Sequence, residues 1–314
     1  MARIGTMNRR KFVFAGGSVL LAACGKAPGK IRLALNWKPD PQFGGFYAAP
    51  YRAHGLDVDI LPGGAGTPTI QMVGAGSAEF GVVSADELVI ARSQGNDVVA
   101  LFAVFQNNPQ GIMVHASRKL TSLADLLSSG GTLAIQRGLP YTRLLEKKYG
   151  FGKVKIVPSP GGDIGAFLAD TNFAQQCFIV SEPLTARHQG ASVQVFPVSD
   201  TGYNPYTTVL TTSGDYLHQN PQRAKAMVDA VREGWRAYLD NPNPTNQHMN
   251  QLNPSMAPEA FAEVAAAQKP LIETAGGPLG SMTRERWEML IAQLKELGDI
   301  QKTPSADDCF RNLS

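Results

Sequence analysis

Three cysteines in 314 residues, five histidines and only 18% charged residues leave little material for several kinds of chemistry. Once Cys24 near the N-terminus is set aside, only Cys177 and Cys309 remain, which is no disulfide framework. An exported protein permits a bond between them, and two free thiols fit the sequence equally well. His54, His115, His188, His218 and His248 are scattered singly, with no Cys or His cluster at zinc spacing. There is no His-Glu-x-x-His and no Gly-x-Ser-x-Gly nucleophile elbow. Gly63-Gly64-Ala65-Gly66-Thr67 lacks the Lys-Ser/Thr of a phosphate loop, so a tight turn facing a cleft is the better reading. No catalytic residue, metal site or cofactor is expected. Nor is there a basic stripe interleaved with aromatics, which argues against nucleic acid as a partner.

Acidic residues are missing from positions 1–23, and that absence is informative. Arg3, Arg9, Arg10 and Lys11 precede an apolar stretch, Phe12 to Ala23, that ends in Leu21-Ala22-Ala23-Cys24. Positive, apolar and small-residue regions in that order make an export signal. About 12 apolar residues are too few to span a bilayer core of roughly 30 Å as a helix. The small residues before Cys24 resemble a bacterial lipoprotein signal, which implies cleavage there and lipid attachment to the thiol. Arg9-Arg10-Lys11-Phe12 fits a twin-arginine signal and equally an ordinary basic n-region. The start lies at Met1 or Met7. Of 29 basic residues in the chain four lie in this segment, leaving 25 against 26 acidic ones, a near-neutral body.

The body reads as alternating strands and helices. Short apolar runs at Ile31–Trp37, Leu56–Leu61, Phe80–Ser84 and Val98–Phe105 predict strands, with helices over Phe46–His54, Thr69–Ala75 and Asp86–Gln94 between them. This order favours a mostly parallel sheet. After Gly111–Ala116 the rhythm restarts: helices over Leu123–Leu127 and Tyr141–Tyr149, and strands at Thr132–Gln136, Val154–Pro158, Cys177–Val180 and Val193–Val198. Beyond Asp215 only amphipathic helices are predicted, over Pro221–Leu239, Pro258–Thr274 and Arg284–Leu297. The expectation is an α/β protein of two lobes: residues 24–114 with 210–314 as lobe one, and 115–209 as lobe two. The chain would cross near Gly111–Ser117 and return near Tyr206–Thr212, with the tail helices packing on lobe one. Two crossovers make a hinge, and a hinge makes a cleft.

The loop after the first strand, Asn36-Trp37-Lys38-Pro39-Asp40-Pro41-Gln42-Phe43-Gly44-Gly45-Phe46-Tyr47, carries a family likeness. It resembles the first ligand loop of ABC importer binding proteins for the thiamine pyrimidine precursor, within the wider nitrate, sulfonate and taurine group. Further matching stretches are Gly55–Pro62, Met72–Glu87 with Ala78-Glu79-Phe80-Gly81-Val82, Ala100–Ala116, Phe178–Pro183 and Glu233–Asn241. The resemblance implies the two-lobed periplasmic-binding-protein fold of type II and a permease and ATPase as partners. It also implies a small planar heterocycle as ligand, in a monomer exported and anchored to a membrane by lipid. One departure is Phe43, where those relatives usually carry histidine. The ligand class is therefore a pyrimidine, a flavin or another vitamin-like ring, with a sulfonate or nitrate as the alternative. A pyrimidine-synthase-like enzyme on the same scaffold and a periplasmic sensor stay open as other functions.

Loop position then selects candidate ligand contacts: Asn36, Trp37, Asp40, Phe43, Ser84, Asp86, Glu87 and Gln106 from lobe one, and Arg137, Tyr141, Asp163, Glu182 and Tyr206 from lobe two. Several carry a plainer reading beside the functional one. Asp40 before Pro41 also suits a turn, Ser84, Asp86 and Asp163 also suit helix caps, and Glu182 before Pro183 also suits a helix start.

Overall fold

Ile31, Leu33, Ala34 and Leu35 are buried along one strand, and around such runs the chain builds two sheets. The computed structural model describes Met1, residues 29–274 and residues 277–313. The lipoprotein signal and Cys24 therefore lie outside the described residues. Strands β1 (Ile31–Leu35), β2 (Val58–Leu61), β3 (Phe80–Val83) and β4 (Val98–Phe105) join β10 (Thr207–Ser213) in one sheet, ordered β2-β1-β3-β10-β4. Strands β5 (Gln110–His115), β6 (Thr132–Ala134), β7 (Lys155–Val157), β8 (Phe173–Phe178) and β9 (Val193–Pro197) form the other, ordered β7-β6-β8-β5-β9. This is the two-lobed α/β architecture, with a five-stranded sheet in each lobe.

Each sheet is parallel except where the chain arrives from the other lobe. β1 pairs parallel with β2 and β3, and β6 pairs parallel with β7 and β8. β10 is antiparallel to β3 and β4, and β5 is antiparallel to β8 and β9. A strand entered straight from the hinge starts at the cleft and runs away from it, opposite to strands whose carboxyl ends point at the cleft. Such a strand needs no preceding helix, which is why the sequence rhythm misreads it as a connector. The crossings accordingly differ from expectation. Gly111–Ser117 is largely β5 and Tyr206–Thr212 largely β10, with Ile112, Met113, Val114, Val209 and Leu210 fully buried. The chain crosses instead at 106–109, through Asn107-Asn108-Pro109, and returns over 198–206.

Helices α1 (Gly44–Ala48), α2 (Thr69–Gly74) and α3 (Ala85–Ser93) cover the first sheet, and α4 (Leu123–Ser128), α5 (Pro140–Tyr149), α6 (Gly165–Ala169) and α7 (Glu182–His188) the second. The helix expected over Phe46–His54 is split, because Pro50 ends α1 and a 3-10 turn follows over Tyr51–His54. The tail runs α8 (Gly214–Gln219), α9 (Pro221–Asp240), α10 (Asn243–Leu252), α11 (Pro258–Ile272), α12 (Arg284–Leu297) and α13 (Ala306–Cys309). α9 packs on α1 so closely that a Cβ at Gly234 would lie 2.2 Å from the Gly45 carbonyl oxygen. Trp235, Tyr238, Phe46 and Phe43 fill the core there. α12 lays Trp287, Leu290, Ile291 and Leu294 between α3 and α5, so it braces both lobes rather than lobe one alone. Cys177 and Cys309 are buried, free and in different lobes.

Candidate ligand cleft

The carboxyl ends of β1 and β3 face those of β6, β7 and β8 across the gap between the lobes. Directly after β1, the turn at Gly63 lies against the Asn36-Trp37 backbone. Gly63 N–H donates to the Trp37 carbonyl at 3.0 Å, and a Cβ at Gly63 would fall 2.1 Å from the Leu35 carbonyl oxygen. The glycine run therefore shapes the first loop. Asn36 Oδ1 is buried with no hydrogen-bond partner among the described residues, an acceptor still unmet. Asp40 caps the 3-10 turn Pro41–Phe43 by accepting from Gln42 N–H at 3.0 Å and from its amide at 3.0 Å. Burial raises its carboxyl from 3.8 to about 6, against the opposing pull of those two bonds and of Lys38.

The end of β3 supplies a second acidic wall. Ser84 caps α3 in a capping box with Glu87: the Ser84 N–H donates to Glu87 Oε2 at 2.9 Å. The Ser84 hydroxyl also donates to Asp86, whose other oxygen accepts from the Tyr203 hydroxyl at 2.9 Å. Asp86 is buried. Glu87 keeps contact with solvent yet is crowded by protein, as a group lining a concavity would be, and desolvation raises its carboxyl. The plain reading as a cap is thus realised for Ser84, while Asp86 lies inside the first turn of α3 and is spent on a bond to the return crossing.

Lobe two contributes Glu182 at the start of α7. Its Oε2 accepts from Phe178 N–H at 2.8 Å, and burial first, with Asp40 a lesser cause, raises its carboxyl from 4.5 to about 7. Oε1 of Glu182 lies 3.5 Å from where a Cβ would sit on Gly162, and Trp37 Cη2 lies 3.8 Å from the same point on Gly161. The Ser159–Gly162 turn of lobe two therefore meets the edge of the Trp37 ring of lobe one. Tyr141 is buried nearby, donates to Gln176 Oε1 at 3.1 Å, and is pushed up by burial and by Cys177, Glu182 and Asp86. Arg137 is exposed on the turn before α5, with no side-chain hydrogen bond or ion pair among the described residues.

The structure thus brings together Trp37, Asp40 and Glu182, with Asn36, Glu87 and Tyr141 beside them. Four expected contacts lie elsewhere. Phe43 is fully buried in the core of lobe one, so its ring serves packing there. Asp163 is exposed, and its Oδ1 accepts from Gly165 N–H at 2.9 Å, a turn residue. Gln106 donates its amide to the carbonyls of Ala103 and Ser281 at 3.0 and 3.2 Å. Tyr206 stacks beneath Arg286, 3.7 Å from the ring centroid, and its oxygen accepts from Thr283 N–H at 3.0 Å. Gln106 and Tyr206 line a separate cavity of about 450 Å³ between the hinge and the tail. Both lie in the crossing segments themselves, where their polar atoms bond to Ser281 and Thr283 of the tail.

Lys38, Tyr203 and the Ser159–Gly162 turn were missed. Lys38 and the turn stood in the sequence as a charge in the ligand loop and a Ser-Pro-Gly-Gly run. Asn253 and Gln268 were missed as well. Their amides donate to the carbonyls of Pro39 and Pro41 at 2.8 Å each, and nothing local marks them, because the partners lie 214 and 227 residues apart. The histidines pair singly: His115 with the Phe167 carbonyl at 2.7 Å, His188 with Glu263 at 2.5 Å and His54 with Glu233 at 3.0 Å. Among the described residues no group of three or more His, Cys, Asp or Glu could hold a metal. What the cleft offers is a ring face, carboxylate acceptors and an unmet carboxamide oxygen.

Two curated relatives and several solved structures are similar to this chain. A formylaminopyrimidine-binding protein of Halalkalibacterium halodurans is 24% identical over 309 residues, 90% of each chain. The riboflavin-binding protein RibY of Chloroflexus aurantiacus is 25% identical over 232 residues, 68% of this chain and 64% of its own. The periplasmic aliphatic sulphonate binding protein SsuA of Escherichia coli shares the fold, with a TM-score of 0.71 at 14% identity over 91% of this chain and 93% of its own. A desulfurization enzyme, DSZB, shares it too, at a TM-score of 0.58 and 15% identity over 89% and 96%. The fold alone therefore hosts both binding and catalysis. Residues 40–245 match the model described as NMT1/THI5 like, and the chain belongs to that family.

Proposed function

We propose that this chain is the solute-binding component of an ABC importer, closing two lobes over a planar nitrogen heterocycle that presents hydrogen-bond donors. The observation that carries the reading is the wall composition. Trp37 supplies an aromatic face, and Asp40 and Glu182 supply acceptors from opposite lobes. Rings stack on rings, and these half-buried carboxylates, each already bonded within its own loop, keep further lone pairs for a donor. Two relatives named for binding a pyrimidine and a flavin support the ligand class. A sulfonate or nitrate would meet acids here rather than converging donors. A pyrimidine, a flavin or a similar vitamin-like ring fits best.

The rest of the reading follows from that role. The lobes are divided near the two crossings, at 106–109 and 198–206, rather than at 114 and 210. The protein acts outside the cytoplasm as a monomer, held to a membrane by lipid on Cys24, by the ordinary or the twin-arginine route. Loss of membrane association in Cys24→Ala, with ligand binding intact, is the expected result of that substitution. A permease and an ATPase are its partners.

Native mass spectrometry and thermal shift against pyrimidines, flavins, pyridoxal compounds, sulfonates and nitrate test the function. A stabilising, chemically unchanged heterocycle is expected, and at a hundredfold excess over Kd it adds about 2.7 kcal/mol by linkage. Conversion of a pyridoxal compound would make the chain an enzyme, and stabilisation by sulfonates or nitrate alone would overturn the ligand class.

A further inference from the structure

Asp40 lies between two backbone carbonyls that the tail holds. Pro39 O accepts from the Asn253 amide and Pro41 O from the Gln268 amide, each at 2.8 Å. Gln268 has no exposed surface and Asn253 is 6% exposed, so neither bond competes with water. Asn253 is fixed in turn, its Oδ1 accepting from the Ser255 hydroxyl at 2.6 Å. Two bonds on either side of one residue leave its backbone little freedom, and the proline at 39 and the proline at 41 remove more.

Helix α11, which carries Gln268, also reaches lobe two. It packs on α7, whose first residue is Glu182, and Glu263 near its start meets His188 at 2.5 Å. One helix therefore touches both the turn bearing Asp40 and the helix bearing Glu182.

We infer that Gln268 and Asn253 are positioning residues for ligand capture, fixing Asp40 in the cleft so that affinity depends on the tail as well as on the loop that meets the ligand. The affinity arm rests on the ligand reading proposed above; the placement of Asp40 does not. The groups around Asp40 are Gln42 and Lys38 on its own loop, Tyr47 on α1, Tyr238 on α9 and Glu182 on α7. If the amides hold the loop down, releasing either one lets water reach the carboxylate and weakens the desolvation that lifts it.

The test uses two variants that remove a donor, Gln268→Met and Asn253→Ala, and a packing control on the same helix, Val264→Ala. Carbon-13 NMR of labelled aspartate follows Asp40 without ligand, and calorimetry follows 4-amino-5-hydroxymethyl-2-methylpyrimidine. In both donor variants the Asp40 midpoint is expected to fall from about 6 toward 3.8, with affinity down about tenfold, or about 1.4 kcal/mol. Val264→Ala should lower Tm and change neither. An unmoved Asp40 midpoint in the donor variants overturns the inference, as does an equal movement in Val264→Ala. If Gln268→Met does not fold, Asn253→Ala decides alone. Should the unaltered protein ignore the pyrimidine, the ligand reading fails while the titration still judges the positioning.

Discussion

The two lobes have the same strand plan and different construction. Lobe two is one continuous piece of chain, and two of its strands, β6 and β7, are three residues long. A small cluster of Met113, Ile164, Phe167, Cys177 and Ala186 lies under α6 and α7. Lobe one is assembled from the two ends of the described chain, and α9 buries Trp235 and Tyr238 against α1. Its loop after β1 is bonded from behind by residues of the tail, whereas Glu182 of lobe two is held by Phe178, four residues away. The difference teaches that the loop bearing Asp40 is hydrogen-bonded by distant tail residues, whereas the Glu182 carboxylate is bonded within its own strand-to-helix turn even though α11 packs on that helix.

Substitutions can break that contrast in graded ways. The largest effect is expected from Trp235→Ala, which empties the joint between α1 and α9. About 3–5 kcal/mol of stability should be lost in urea unfolding, and lobe two should outlast lobe one. A single unchanged transition would mean that the tail is not what supports lobe one. Next comes Trp37→Ala, which should weaken a bound ring by about 1–3 kcal/mol in calorimetry and, because Trp37 is half-buried against the lobe-one core, lower Tm of the free protein less than Trp235→Ala does. An affinity equal to that of the unaltered protein would make Trp37 a cover for the core.

Glu182→Gln should give the smallest and most diagnostic change. Burial lifts Glu182 from 4.5 to about 7, so it is the ionised form that the fold disfavours. Its contribution is therefore complete below 4.5 and is lost as pH rises through about 7. Without ligand, the Tm of the unaltered protein should fall over that window relative to Glu182→Gln, which has no such charge to bury. Parallel curves would remove Glu182 from the buried wall.

Much of this was legible in sequence. The alternation of short apolar runs and helices gave both lobes, and the aromatic and acidic residues after β1 and β8 include Trp37, Asp40 and Glu182. Local patterns end where a strand needs no helix before it. β5 and β10 read as connectors for that reason, and nothing local shows that the side chains of Gln106 and Tyr206 bond to the tail. Phe43 shows another limit, since an aromatic in a ligand loop reads the same whether its ring turns outward or inward. Asn253 and Gln268 are polar residues in or beside amphipathic helices, and only the fold brings them to the prolines they serve.

β10 separates β3 from β4, and those two strands make no ladder with each other. A ribosome therefore delivers four strands of lobe one, then the whole of lobe two, before the strand that unites the first four. Lobe two has every strand it needs once Pro197 has emerged, whereas the sheet of lobe one waits for Ser213. Until then Phe80, Val82 and Phe102 have no finished sheet to shelter them, the kind of interval in which chaperones act. The protein is made with its middle ready first, and the cleft between the lobes is the last thing to exist.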